Sequence, residues 1–429
     1  MSETNWRSKW SKEQVKAMLL EQLQAFWDRD TGIKRAQLAR VEQAAEVPHA
    51  VVISGLRRVG KSTLLAQMAH RLGEGSFYYV NFEDDRFLGF RPDDATHLYS
   101  TLVELFGERK TFVIDEIQNI EGWEAFVRRF MDLGYKFFIT GSNASLLSRE
   151  LGTRLTGRYV PVELFPFSFD EYLRFKNETA FDLARLTTTD SALLQKELLS
   201  YLQFGGIPDS LKYPELPLLR TLYDDILYRD VVTRHRVDSV PVIKELGSFL
   251  LSNPAALISF NKLKEQFKVG SVNTIKNYIG FLENSWLFFT VNVYAHSVKR
   301  QQIAPKKVYC IDTGMGNSLG FSFSPNTGRW LENAIFLALR RRTSEIHYCM
   351  TPGGYEVDFF LPTTGQLIQV CHDYTNEAAR KREIRALEDV FQAIRPSEAL
   401  ILTDMNDTPF TLRGVPVQVR KAAEWLLDD

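Results

Sequence analysis

Residues 50–72 constrain this chain more than any other stretch. Ala50–Ser54 is a short apolar run, GLRRVGKST follows from Gly55 to Thr63, and a helical pattern opens at Ser62 with Leu64, Leu65 and Met68 on its buried face. An apolar strand, a glycine loop and a helix in that order are the context that G-x-x-x-x-G-K-[ST] requires. Gly55 and Gly60 let the backbone turn so that its N–H groups wrap phosphates, and the helix N-terminus adds positive potential. The expected cradle is Gly55, Leu56, Arg57, Arg58, Val59, Gly60, Lys61, Ser62 and Thr63. Within it Lys61 reaches the terminal phosphates of ATP and Ser62 holds Mg²⁺. Arg57 and Arg58 occupy the variable part of the loop, where phosphate and solvent are equally available.

Further apolar runs at Phe77–Phe82, Thr111–Ile114, Lys136–Thr140 and Tyr159–Leu164 alternate with helical patterns. That alternation predicts a parallel sheet covered on both faces. TFVIDE (111–116) ends a strand on two acids. Asp115 is placed to meet the Mg²⁺ shell, and Glu116 to polarise a water as general base, which argues for hydrolysis over mere binding. FFITGSN (137–143) delivers Ser142 and Asn143 to the same sheet edge, one of them to the γ-phosphate or the attacking water. Arg154 and Arg158 lie before the last strand, and Arg158, which abuts it, is the expected arginine finger, in cis or from a neighbouring subunit.

The composition is that of an ordinary globular protein: 45% hydrophobic, 24% charged, net charge -1. Nucleic-acid binding would need a local patch. Cys310, Cys349 and Cys371 are far apart and read as separate thiols in a reducing cytoplasm. The polar first 30 residues predict no signal peptide, and nothing approaches about 20 consecutive apolar residues, so no membrane span is expected. Ser11–Asp28 reads as an amphipathic helix with a Ser11–Gln14 capping box, packing on the core.

Residues 167–236 carry helical patterns and read as a lid. Phe260–Phe267, a four-residue turn and Val272–Glu283 have the lengths of a helix-turn-helix. Asn273, Lys276 and Asn277 face out from its second helix. Between Phe260 and Cys310 there are eight Lys or Arg against two Glu, an excess of six. Lys299, Arg300, Lys306 and Lys307 fall where a wing would be, so 260–310 is the candidate DNA surface. Farther on, Glu332 on a helix and Asp358 in a strand stand where two ligands of a metal-dependent nuclease would. Gln369 and Cys371, however, occupy the places where an acid and a lysine are needed. A nuclease-like fold without cleavage is expected, and His372 and Asp373 do not restore the site.

With these residues in place the chain resembles a family of uncharacterised prokaryotic ATPases that join an AAA-type P-loop domain to a C-terminal, nuclease-like domain of unknown function. The resemblance rests on GLRRVGKSTLL at Gly55, TFVIDEIQ at Thr111, ITGSN at Ile139, LTGR at Leu155, FGGIP at Phe204, ILYRDVV at Ile226, KVYCIDTG at Lys307, RWLENAIF at Arg329 and YEVDFFL at Tyr355. The family's last motif reads E-V-K where this chain has Gln369, Val370 and Cys371. The expected fold is α/β: a P-loop NTPase parallel sheet with a helical lid, then a winged helix and a degenerate restriction-endonuclease-like α/β domain. The expected segments are 1–48 (helical, packed on the core), 49–166 (ATPase core), 167–236 (lid), 237–322 (winged helix) and 323–429 (nuclease-like). Two functions fit: an ATPase working on or near DNA, or an ATP-dependent regulatory switch that binds a protein partner.

Overall fold

The computed structural model describes residues 9–144, 155, 157–177, 181–295, 297–319, 327–351 and 353–428. Arg154 lies outside them. The chain divides into two compact units, Met1–Leu164 and Phe165–Asp429.

The first unit holds a five-stranded parallel sheet of β1 (Ala50–Gly55), β2 (Tyr78–Asn81), β3 (Thr111–Asp115), β4 (Lys136–Gly141) and β5 (Tyr159–Leu164), in the order β2-β3-β4-β1-β5. Every residue of β1 is buried, as expected of a strand covered on both faces. Phe112 packs against Tyr78, Phe126, Phe130, Tyr135 and Phe137, giving the core an aromatic centre. The helix Lys12–Trp27 starts at the expected capping box: Ser11 Oγ accepts from Gln14 N–H and Gln14 Oε1 accepts from Ser11 N–H. Its Phe26 stacks on Tyr79 at 4.0 Å. Its Gln22 bonds both the N–H and the C=O of Asn81, as a neighbouring strand would, which closes the exposed edge of β2.

The register decides what the sheet can present. β4 lies between β1 and β3, with Ile53 opposite Thr140 and Ile114 opposite Ile139. The C-terminal ends of β1, β4 and β3 therefore stand side by side.

The second unit opens with helices, among them Phe169–Phe175, Thr188–Phe204, Leu218–Asp225 and Val240–Ser252, and a π-helix at Ile226–Thr233. FGGIP and KVYCIDTG meet here. Asp312 accepts from Gly206 N–H at 2.7 Å and Met315 N–H at 2.8 Å, and a Cβ on Gly205 would fall 2.2 Å from its Oδ1. Then come β6 (Ala256–Ile258), helices Phe260–Gln266 and Val272–Asn284, β7 (Phe288–Val293), a short helix Val298–Ile303 and β8 (Lys306–Cys310). Helix Thr327–Arg342 precedes β9 (His347–Met350), β10 (Glu356–Leu361), β11 (Gln366–Val370), helix Glu377–Ala393, β12 (Glu398–Thr403), β13 (Asp407–Leu412) and β14 (Val415–Lys421).

Two expectations need correction. Segments 237–322 and 323–429 do not carry separate sheets: β7 pairs in parallel with β9, and one nine-stranded sheet runs β13-β14-β12-β11-β10-β9-β7-β8-β6. The apolar pattern of Val419–Leu427 suggests a terminal helix in the sequence, but its first three residues, Val419–Lys421, close β14. Val415, Val417 and Val419 alternate along β14, and Arg413 and Gly414, both at positive φ, make the two-residue hairpin turn back from β13. Only Ala422–Trp425 is helical.

Candidate functional site

The loop 55–60 leaves the C-terminal end of β1 and turns into helix Lys61–Leu72. A Cβ on Gly55 would lie 2.2 Å from Leu164 O, and Gly60 has φ +95°, so both positions need glycine. Lys61 is 4% exposed, with Nζ 3.2 Å from Leu56 O and 3.4 Å from Glu116 Oε1. Ser62 follows it on the first turn of the helix, where its hydroxyl helps to hold the Asp115 carboxyl down. Arg57 pairs with Glu83 at 3.7 Å, whereas Arg58 is exposed at φ +60°. Glu83 borders a cleft of about 540 Å³ at the end of β2, lined also by Arg29, Tyr79 and Asn81.

The two acids differ in environment. Burial and the neighbouring Glu116 charge push the Asp115 carboxyl up, against hydrogen bonds from Thr140 and Ser62. Burial would raise Glu116 too, but Lys61, Gln118 and Arg57 outweigh it and hold Glu116 below the usual carboxylate value. Glu116 also has φ +52°, a conformation in which a non-glycine residue is strained and which recurs at functional sites.

Two positioning groups escape a reading of the sequence. The Thr140 hydroxyl donates to Asp115 Oδ1 and accepts from Glu116 N–H at 3.0 Å, so one side chain on β4 fixes both acids. Gln118 Nε2 donates to Glu116 Oε2 and lies 3.3 Å from Ser142 Oγ, while its buried Oε1 has no partner among the described residues. Ser142 is thus at the site. Asn143 adjoins it through its backbone, whose carbonyl accepts from Ser54 Oγ at 2.9 Å.

Arg158 is not brought to the site within the chain. It precedes β5, which runs parallel to β1 with Ala50 opposite Tyr159 and Gly55 opposite Leu164. It therefore sits at the opposite end of the strands, where it pairs with Asp132 at 2.7 Å. The strand rise of about 3.3 Å per residue puts it roughly 20 Å from the loop.

In the second unit Glu332, Glu356 and Asp358 converge, and Lys307 is among them. Its Nζ is 2.7 Å from Glu332, 2.5 Å from Glu356 and 2.8 Å from Asp358, at 2% side-chain exposure. Burial opposes the ammonium charge, but the three carboxylates outweigh it and hold its pKa well above the usual lysine value. Lys307 is therefore an internal cation and not part of a DNA-facing wing. Gln369 Oε1 accepts from Asp358 N–H at 3.1 Å, and its Nε2 donates to Glu383 at 2.6 Å. Cys371 is buried, and burial raises its thiol to about 11. Among the described residues no group of three or more His, Cys, Asp or Glu is arranged to hold a metal ion.

Strand order, glycine loop, buried lysine and paired acids define the first unit as a P-loop NTPase. A family model described as an AAA domain matches residues 47–173, and one described as a domain of unknown function, DUF8612, matches 195–326. The uncharacterized protein MJ1544 of Methanocaldococcus jannaschii is 37% identical over 373 residues, covering 84% of this chain and 82% of that protein. An uncharacterized protein of Haemophilus influenzae is 32% identical over 322 residues, covering 72% and 75%. The chain belongs to this family of prokaryotic AAA-type P-loop ATPases, and its first unit is a nucleotide-binding domain.

Two solved structures show a partial likeness to this chain. The Walker-type ATPase paby2304 of Pyrococcus abyssi has a TM-score of 0.41 and 16% identity, over 68% of this chain and 99% of that one. The replication initiator DnaA bound to AMPPCP and single-stranded DNA has 0.26 and 16%, over 57% and 85%. Neither likeness assigns a ligand to this chain. Among the described residues no helix is long and apolar enough to cross a membrane.

Proposed function

We propose that this protein is a cytoplasmic, Mg²⁺-dependent ATP hydrolase whose turnover serves DNA-associated work through a winged helix at 237–322. The observation that carries the hydrolase reading is Glu116. It is kept ionised beside Lys61, held by Thr140 and Gln118, and placed one residue after Asp115.

The loop N–H groups cradle the phosphates, and Lys61 exchanges its contacts with Leu56 and Glu116 for the β- and γ-phosphates. That exchange frees Glu116 to act. Ser62 and Asp115, two oxygen donors, suit a hard cation and would hold Mg²⁺, which would supply charge neutralisation to the phosphates. Glu116 takes the proton of a water as the water oxygen bonds to Pγ and the bond from Pγ to the bridging oxygen breaks. Ser142 and Asn143, which follow β4 between β1 and β3, would meet the γ-phosphate or the attacking water. Thr63 and the loop arginines Arg57 and Arg58 complete the cradle. Arg158 can act as an arginine finger only from another copy of the chain.

Support for the DNA arm comes from the second helix of the 260–284 pair, where Asn273, Lys276 and Asn277 are exposed, and from exposed Lys299 and Arg300. The test is steady-state ATP turnover with and without single- and double-stranded DNA. The parent should turn over faster with DNA, Lys61→Ala should bind no ATP, and Glu116→Gln should bind but slow about 10²-fold. Equal turnover in Glu116→Gln and parent removes Glu116 as the base. Turnover indifferent to DNA moves the reading to the regulatory switch with a protein partner.

A further inference from the structure

Arg35 lies outside every element assigned to the site, yet it is 3% exposed and reaches the phosphate loop. Its Nη1 donates to Val59 O at 2.8 Å. Its own backbone N–H donates to Gln67 Oε1 at 3.1 Å, and Gln67 Nε2 donates to the carbonyls of Thr31 at 2.8 Å and Ile33 at 2.6 Å. Gln67 belongs to the helix that Lys61 opens. The segment 31–35 is thus fastened to that helix and returns a guanidinium to the loop.

What the guanidinium grips is the peptide between Val59 and Gly60. The Val59–Gly60 peptide is trans, so the Val59 carbonyl and the Gly60 N–H point in opposite directions across one plane. Turning the carbonyl to Arg35 turns the N–H away from it. Gly60 sits at φ +95°, and a Cβ there would lie 3.2 Å from Arg35 Nη1, so only glycine lets the guanidinium come this close to the loop. A charged donor on the carbonyl also polarises the peptide and strengthens its N–H as a donor.

We propose that Arg35 is a positioning residue for the nucleotide, one that sets the Val59–Gly60 peptide so that the Gly60 N–H faces the phosphates. Its Nη1 is committed to the carbonyl and the residue is enclosed, so it acts through the loop and not on ATP. The proposal rests on the nucleotide-binding reading of the first unit.

The test uses the full-length chain with Arg35→Met, which keeps the apolar stem, and Arg35→Lys, which keeps one cationic donor. Affinities for ATP and ADP come from calorimetry, and kcat and KM from steady-state turnover. A charge-assisted hydrogen bond lost from a cradle should weaken Arg35→Met about tenfold to a hundredfold. ATP and ADP should lose by the same factor, because the loop amides serve the α- and β-phosphates that both carry. KM should rise while kcat at saturation stays within about twofold of parent, and Arg35→Lys should fall between Met and Arg. If Arg35→Met does not give a folded chain, Arg35→Lys decides, with a loss of a few fold for both nucleotides and an unchanged kcat. Parent-like affinity in the folded variant, or a fall in kcat at constant KM, overturns the proposal and leaves the nucleotide reading intact. Failure of the parent itself to bind ATP overturns that reading instead.

Discussion

Replacing Lys307 by methionine keeps an unbranched stem and removes the one ammonium that Glu332, Glu356 and Asp358 share. Breaking a buried ion pair by deleting one partner costs roughly 3–5 kcal/mol, because the other charge stays buried. Glu356 is 28% exposed and regains water, so it adds little. Asp358 keeps Val370 N–H at 2.9 Å and Glu332 keeps the Tyr309 hydroxyl at 2.7 Å, which holds the expected loss near the lower end, about 3 kcal/mol. The loss should also depend on pH. Burial and the Asp358 charge already push the Glu332 carboxyl up, and only Lys307 and hydrogen bonds pull it down. A carboxyl whose folded pKa is raised contributes stability that is present at low pH and lost as pH rises through the folded value. Glu332 already sits at about 8 with Lys307 present, so the deficit of Lys307→Met should grow as the pH climbs past about 8 and be smaller and level below it. Hydrogen exchange at peptides covering β8, β10 and helix 327–342 isolates this unit from the first. A deficit under about 1 kcal/mol, or one that does not change with pH, would refute the buried-cation account.

Three further outcomes are expected. Thr140→Val keeps the shape but leaves Glu116 N–H unpaired; the first unit should lose about 1–3 kcal/mol in denaturant unfolding and ATP turnover should fall at least about tenfold, whereas parent-like turnover would show that Thr140 does not hold the acids. Purified protein with Mg²⁺ or Mn²⁺ should leave plasmid and linear DNA intact, since Lys307 occupies the space between the acids; cleavage abolished by Asp358→Ala would contradict this. Affinity for DNA should fall with a log–log salt slope near roughly -4, and replacing Lys276 and Lys299 together should flatten it to roughly -2, measured by gel shift. Lys307→Met should leave that slope alone, and superimposable curves for the double variant and parent would remove 260–310 as the DNA surface.

The nucleotide site is legible in the sequence because its chemistry is local: one loop of nine residues and one strand ending in two acids. Strand direction is legible too, and it governs Arg158. A residue before a parallel strand lies at the far end from a loop that follows one. Thr140 is hidden because threonine in a strand reads as β-propensity, and only its register beside Asp115 gives the hydroxyl a task. Lys306 and Lys307 carry the same charge in sequence, yet side chains alternate across a strand, so one faces out and the other in. Tyr309, two residues on, shares the inward face and the same partner, Glu332, but nothing in the sequence says which face is the inner one. The strand at 415–421 is masked because its alternating valines run directly into the short helix that follows.

The pairing of β7 with β9 has a consequence for how such a chain can be divided or recombined. The match to DUF8612 ends at residue 326, which looks like a seam between modules. No seam exists in the sheet. A chain ending there would leave the flank of β7 open to pairing with other molecules. A chain starting there would keep Glu332 and Asp358 but discard the lysine that neutralises them, since that lysine comes from β8. Residues 256–421 must be inherited, swapped or expressed as one piece.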